Sequence, residues 1–242
     1  MTYTIVARCP ETGMLGIAQC SVPIAMGARC PFIESNVGAV STQAFTDPGL
    51  GPLALKLLGL GFSPDKAIQE ISSSDRLFEF RQLAIVDRYG RSAVHTGSNC
   101  MEHKAQYAKQ NLAVAANHMS TPHVAQRMME AFEDSAKGAL EERLMLALEA
   151  GRNEGGDRDG QVSAVLRVFN RDPYPRTDLR VDLWQDLPGG PKDAVADLRR
   201  LVDAYSPLIS YYELRPFNVD TVSVYPESLS DRKAAAAPRT AT

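Results

Sequence analysis

The apolar segments of this chain fall in the order three strands, two helices, three strands, two helices, two strands and one helix, and that order limits the fold more than any other feature. Strands that alternate one by one with helices would build a parallel sheet. Strands in runs, interrupted by helix pairs, instead predict antiparallel sheets with helices segregated onto faces. The segments are bounded by turn chemistry. Pro10-Glu11-Thr12-Gly13 joins a strand over Thr2–Cys9 to one over Met14–Cys20 as a hairpin. A third strand is predicted over Asn36–Ala44, stopped by Asp47-Pro48-Gly49. Pro52 opens one helix, and Ser63 caps a second with Pro64 at its first position. Asp87-Arg88-Tyr89-Gly90 makes a hairpin of Gln82–Val86 and Ser92–Thr96, and Leu112–Ala116 is a sixth strand. Thr121-Pro122 opens a third helix, with Val124, Met128 and Phe132 on one face. A fourth carries Leu140, Leu144 and Leu148. Strands over Val162–Phe169 and Leu179–Leu183 follow, and then a helix opened by Pro191.

This pattern predicts an α+β fold in four layers, αββα: two antiparallel sheets packed face to face between helix pairs. No linker signal interrupts residues 1–227, read as one domain, and the alanine-rich stretch 228–242 reads as a disordered tail. The chain has 242 residues, 44% hydrophobic and 23% charged, with a net charge of −3 and no basic stripe, so nucleic acid is not an expected partner. No apolar run approaches the roughly 20 residues that span a bilayer. No signal-peptide pattern stands at the front, and a cytoplasmic protein is expected. Cys9, Cys20, Cys30 and Cys100 form no Cys-x-x-Cys pair, and the four histidines lack helical metal spacing, so no metal is expected. The thiols read as reduced and partly buried.

Thr2 follows the first methionine and opens the first strand. Methionine is readily trimmed before a small residue, which would leave a hydroxyl and a free α-amine on Thr2. An unperturbed α-amine titrates near ~7.7–8.0, so it can act as the base in a threonine/N-terminal-amine nucleophile. An ordinary strand start is the alternative reading. Asn117, at the end of the sixth strand, is a candidate oxyanion donor or a plain turn amide. Gln43, at the end of the third strand, is a candidate pocket residue. Asp157, in the Gly155-Gly156-Asp157 loop, is either functional or a turn cap. His95 reads as a packed or surface histidine. None of the cysteines sits where its pKa would be lowered.

The strand–helix order with a threonine at the front resembles the Ntn-hydrolase fold, the αββα sandwich of proteasome subunits. More closely, the chain resembles a bacterial family known as the domain of unknown function 1028. Thr2–Arg8, Pro10–Gly13, Gly38–Ala44, Gly51-Pro52, Arg81-Gln82, Val86-Asp87, Gly90, Thr96-Gly97, Cys100, Asn117 and Gly155–Arg158 before Ser163-Ala164 carry this likeness across Met1–Val181. It implies an amidohydrolase acting on a small-molecule or peptide amide through Thr2, with no cofactor and with self-association into homo-oligomers. It also implies, by order along the chain, that Asp157 and Ser163 orient the threonine, and it places Gln19 where the proteasome pattern has an aspartate. Gln19, Gln43 and Ser163 are therefore candidate substrate-binding residues beside the catalytic candidates Thr2, Asn117 and Asp157. The chain departs from the family pattern twice: Gln106 stands where a histidine is usual, and Val162 where a glutamine is. Together they suggest a divergent member with altered substrate or weakened activity, and the missing histidine at Gln106 favours a second reading, a catalytically silent protein of this fold that binds a ligand or assembles. Hydrolysis by an internal cysteine is a third and weaker idea.

Overall fold

A computed structural model describes residues 1–184 and 193–217. The chain divides into two compact units, Met1–Val202 and Asp203–Thr242. In the second, a short helix Ile209–Leu214 is described. The expected domain end at residue 227, the expected tail and the helix start at Pro191 lie outside the described residues.

The first unit runs β1 (Thr2–Arg8), β2 (Leu15–Ser21), β3 (Pro31–Glu34), β4 (Gly38–Ala44), α1 (Leu50–Gly59), α2 (Pro64–Ser74), β5 (Arg81–Asp87), β6 (Ser92–Thr96), β7 (Ala105–Lys109), β8 (Leu112–Asn117), α3 (Val124–Asp134), α4 (Leu140–Asn153), β9 (Ser163–Phe169) and β10 (Pro175–Val181). The helix α5 (Ala194–Tyr205) starts in this unit. One sheet has the order β10-β9-β2-β1-β8-β7 and the other β3-β4-β5-β6. Among the described residues every ladder between these strands is antiparallel.

Side-chain alternation builds the layers. Tyr3, Ile5 and Ala7 of β1 pack outward against Met128, Leu144 and Leu148 of α3 and α4. Val6, between them, points the other way with Ile17, Ala113 and Ala115, and meets Ala39, Ala84 and Val86 of the second sheet. The outer face of that sheet, Val40, Leu83 and Ile85, is covered by Leu55, Leu58, Ala67 and Ile71 of α1 and α2. The expected αββα sandwich is therefore the observed architecture. Gly16 lets α4 lie close on β2: a Cβ there would come 2.5 Å from Leu144 Cδ1. The start of α2 is as read: Ser63 accepts from the Lys66 amide at 3.3 Å, with Pro64 next.

Three strands differ from the sequence reading. β3 and β7 were not expected, and β10 begins at Pro175 rather than near Leu179. All three form sheet edges. An edge strand with an exposed face needs little apolar alternation, so β7 (Ala-Gln-Tyr-Ala-Lys) and β10, with Arg176, Asp178 and Arg180, carry no clear period. β3 begins with Pro31, a residue tolerated at the start of an edge strand. No described helix is long and apolar enough to cross a membrane.

Candidate active site

Four polar residues meet in one row across the larger sheet. Thr2 of β1 lies opposite Ser21 of β2 on one side and Asn117 of β8 on the other, and Ser21 lies opposite Ser163 of β9. Directly opposed residues of antiparallel strands put their side chains on the same face. By register this is the face that carries Val6 and Ile17, so the row stands at one end of the space between the sheets. Thr2 Oγ1 lies 3.0 Å from Ser21 Oγ. Both hydroxyls donate to the Met1 carbonyl oxygen, and the Met1 α-amine donates to Asn117 Oδ1.

Beneath the row lies a buried amide network. Gln82 Nε2 donates to the Ala116 carbonyl at 3.0 Å and to Thr96 Oγ1 at 2.8 Å. A carbonyl can only accept, which fixes which end of Gln82 is the amide nitrogen. Its Oε1 then accepts from Gln43 Nε2 at 2.5 Å and from Asn117 Nδ2 at 2.9 Å. Asn117 Nδ2 also reaches the Thr2 carbonyl at 3.4 Å. With its nitrogen held there, Asn117 turns its oxygen toward the chain's amine. Gln43 Oε1 in turn accepts from Gln19 Nε2 at 3.1 Å and Ser41 Oγ at 3.2 Å. Gln19, Gln43 and Gln82 are all fully buried.

A pocket of about 790 Å³ opens onto Thr2, Ser21 and Asn117. Its walls include Ile24, Met26, Phe45, Phe80 and Met101, and among the described residues Arg29 is the one charged side chain that lines it. Gln19, Gln43, Ser163 and Asp157 do not line it. The two glutamines stand behind its wall as support, and Ser163 Oγ donates to the Pro23 carbonyl at 2.7 Å. Asp157 is joined by a β-bridge to Met119, two residues past Asn117. It is 2% exposed, and its Oδ2 has no hydrogen-bond partner. Burial pushes its carboxyl up to about 6, opposed by the Asp159 amide and the nearby α-amine. Burial lowers the Met1 amine below its ordinary 8.0, and Asp157 partly offsets that.

Sequence reasoning missed Ser21 and Gln82. Ser21 is one residue beyond the expected end of its strand, and only the register with Thr2 reveals it. Gln82 was legible as part of a strand but not as the residue that orients Asn117. Cys30 and Cys100 also line the pocket. Burial pushes the Cys30 thiol up to about 11, opposed by the Thr46 side chain and then by Arg29, and burial raises Cys100 as well. Both are therefore poor nucleophiles near neutral pH. Cys20 faces the helix layer beside Tyr3. His95 packs as read, stacked on Phe78 at 3.8 Å. Gln106 is exposed on β7 opposite Ala115 and away from the pocket lining. The Val162 amide donates to the Ser21 carbonyl at 3.1 Å, a backbone role open to many residue types. Among the described residues, His118, Asp157 and Asp159 bring potential ligand atoms within 4.8 Å of one another. His118 is already bonded to Asp159 at 3.0 Å.

A four-layer αββα sandwich with a hydroxyl residue at the head of a central strand, facing a pocket, is the class this geometry defines. The chain belongs to the family of unknown function DUF1028, whose model matches residues 2–189. It is similar to protein SPO2555 from Silicibacter pomeroyi, of the same family, with 28% identity and a TM-score of 0.75, over 85% of this chain and 89% of that one. A distant likeness, at 10% identity and a TM-score of 0.42, links it to Anbu, the ancestral beta-subunit from Yersinia bercovieri, over 87% of this chain and 96% of that one. No curated protein matches significantly.

Proposed function

We propose that this protein is an N-terminal-nucleophile amidohydrolase that cleaves an amide C–N bond through Thr2 once Met1 has been removed. The observation that carries the reading is the pair of hydroxyls, Thr2 and Ser21, that enclose the Met1 carbonyl oxygen in the pocket while Asn117 accepts from the Met1 amine, a carbonyl and an amine in the places where a substrate carbonyl and the freed Thr2 amine would meet. In this reaction the Thr2 Oγ–H proton passes to the Thr2 amine as Oγ bonds to the substrate carbonyl carbon. The same proton then goes to the leaving nitrogen as the C–N bond breaks. Water, deprotonated by the amine, attacks the resulting ester, releases the carboxylic acid and restores the Thr2 hydroxyl. Proton transfer by a well-placed base contributes ~10²–10⁴-fold.

The Ser21 hydroxyl donates to the substrate oxygen where it now donates to the Met1 carbonyl. Asn117 takes the part of amine acceptor rather than oxyanion donor, because its nitrogen is held by Gln82 and the Thr2 carbonyl. Asp157 supplies negative charge that favours the protonated amine formed while Oγ attacks, before that proton passes to the leaving nitrogen. The test is a panel of amide substrates with wild type and Thr2→Ala. Hydrolysis should vanish in the variant with thermal stability nearly unchanged, and hydrolysis that persists in Thr2→Ala contradicts the proposal.

One observation favours the second reading, a silent ligand-binding protein. Met1 itself lines the pocket and its carbonyl occupies the reaction space. A chain that keeps Met1 has no free Thr2 amine.

A further inference from the structure

The pocket's walls differ in kind. Ile24, Phe45, Phe80 and Met101 line it while being 62%, 65%, 41% and 53% exposed. Large apolar side chains left open to water around a concave site mark a surface awaiting apolar ligand. Against them stands Arg29. Among the described residues, no lining residue is acidic and the Arg29 guanidinium has no hydrogen bond or ion pair.

Both features sit on well-held backbone. The segment before Arg29 is a helical turn, Met26–Ala28. The Ala25 amide donates to the Asp182 carbonyl at 2.8 Å, and the Arg29 and Cys30 amides return to Met26 at 2.9 and 3.1 Å. Gly27 is pressed against Val165, leaving 3.1 Å for an added Cβ. Opposite, the Phe45 carbonyl accepts from the buried Arg81 guanidinium, which is itself paired with Asp75 at 2.8 Å. The Phe45 amide donates to the Phe80 carbonyl at 3.1 Å, tying two apolar residues of the rim together. The backbone that carries Arg29, Phe45 and Phe80 is thus held before a ligand arrives, while the Arg29 side chain itself is exposed and is ordered on binding.

We propose that the pocket takes an N-acyl amino acid. The acyl chain lies on Ile24, Met26, Phe45, Phe80 and Met101, the free carboxylate pairs with Arg29, and the amide between them meets Thr2. The substrate class rests on the hydrolase reading, but binding and cleavage are separable. A guanidinium recognises a carboxylate through two parallel N–H···O bonds, which gives orientation as well as attraction. The carboxylate and the chain of such a molecule match the Arg29 guanidinium and the apolar wall of the site.

The test is calorimetric titration of Thr2→Ala, which cannot turn substrate over, with N-octanoylglycine, its neutral counterpart N-octanoylglycinamide, and N-acetylglycine. The acid is expected to bind about tenfold or more tightly than the amide, a step of ~1.4 kcal/mol. N-acetylglycine, lacking the chain, is expected to bind about a hundredfold more weakly. Arg29→Gln should erase the preference for the acid and leave the neutral amide's affinity unchanged. Arg76→Gln, at an exposed arginine outside the pocket, should change neither. Equal affinities for acid and amide, a preference that survives Arg29→Gln, or no binding of any probe would overturn the proposal. Tight, Arg29-dependent binding without cleavage by wild type would sink the hydrolase reading and keep the ligand class. Cleavage of neutral amides with no preference for the acid would do the reverse.

Discussion

The space between the two sheets has two unlike ends, built from the same strands. Toward one end, Val6, Ile17, Ala39, Ala84, Val86 and Ala113 meet as apolar surface. Toward the other, Gln19, Ser41, Gln43, Gln82 and Asn117 meet as a buried hydrogen-bonded chain. Burying an amide without partners costs roughly 1–3 kcal/mol by mutational measures, so a core built for stability alone would extend the alanine and valine packing to the rim. The polar end instead lies under Thr2 and fixes which atom of Asn117 faces the amine. The contrast separates residues that hold the sheets together from residues that hold the site in order.

Breaking the polar end should cost more than trimming the apolar one. Gln82→Ala removes two donors and an acceptor and leaves Asn117 Nδ2, Gln43 Nε2 and the Ala116 carbonyl short of partners. Denaturant unfolding should show a loss of ~3–5 kcal/mol. A loss below about 1 kcal/mol would mean the network is replaced by water, and the contrast between the two ends would fail.

Asp157→Asn tests the buried carboxyl. Its folded pKa of about 6 lies above the ordinary 3.8. The folded state therefore holds a proton that the unfolded state has released, and Asp157's contribution falls as pH rises from about 4 through about 6. Replacing it by the neutral isostere should flatten that slope and raise stability above pH 6, by at most ~3 kcal/mol. Thermal melts at pH 4.5 and pH 7.5 on both proteins would show this. An equal pH slope in the two would contradict it.

Val86→Ala, at the apolar end, should cost ~1–2 kcal/mol through lost burial and a small cavity, with no effect on reactivity at Thr2. Gln19→Met sharpens the comparison from the other side. Gln19 Oε1 already lacks a partner while its Nε2 donates to Ser41 Oγ and Gln43 Oε1 at 3.1 Å each, so an apolar side chain of similar length should cost ~1–2 kcal/mol, less than Gln82→Ala. In catalysis, the freed amine would sit on Thr2, itself only 5% exposed, and burial disfavours its charged form. The ascending limb of kcat/KM against pH is then expected below the ordinary amine value of 8.0. A limb at or above 8.0 would mean that Asp157 outweighs burial there.

The fold was largely readable because its central strands advertise themselves. β1, β2, β5, β8 and β9 are buried along almost their whole length, and β5 and β6 are joined by a turn that the sequence states outright. In that turn Gly90 takes φ +79°, and Asp87 Oδ1 accepts from the Tyr89 and Arg91 amides, each at 2.9 Å. β3, β7 and β10 were missed or shifted because edge strands satisfy one side of their backbone with water and need no apolar alternation. The site was readable only at its poles. Thr2 and Asn117 each stand at a strand end, and sequence position alone suggested both. Ser21 became visible only through cross-strand register, which no single strand encodes. Asn117's orientation depends on Gln82, 35 residues away in sequence and on the other sheet. Gln19 and Gln43 were read as substrate-binding candidates, Gln19 from its place in the proteasome pattern and Gln43 from its strand-end position; neither lines the pocket, because whether such a residue faces ligand or supports another side chain is a tertiary fact.

The central claim, that Thr2 is a freed nucleophile, is tested most directly by intact-mass spectrometry of the protein from its own host, before and after exposure to a β-lactone that acylates activated hydroxyls. The account predicts a chain beginning at Thr2 and a single adduct on the Thr2 peptide, lost in Thr2→Ala. A chain that retains Met1, or an adduct on Cys30 or Cys100 instead, would contradict it.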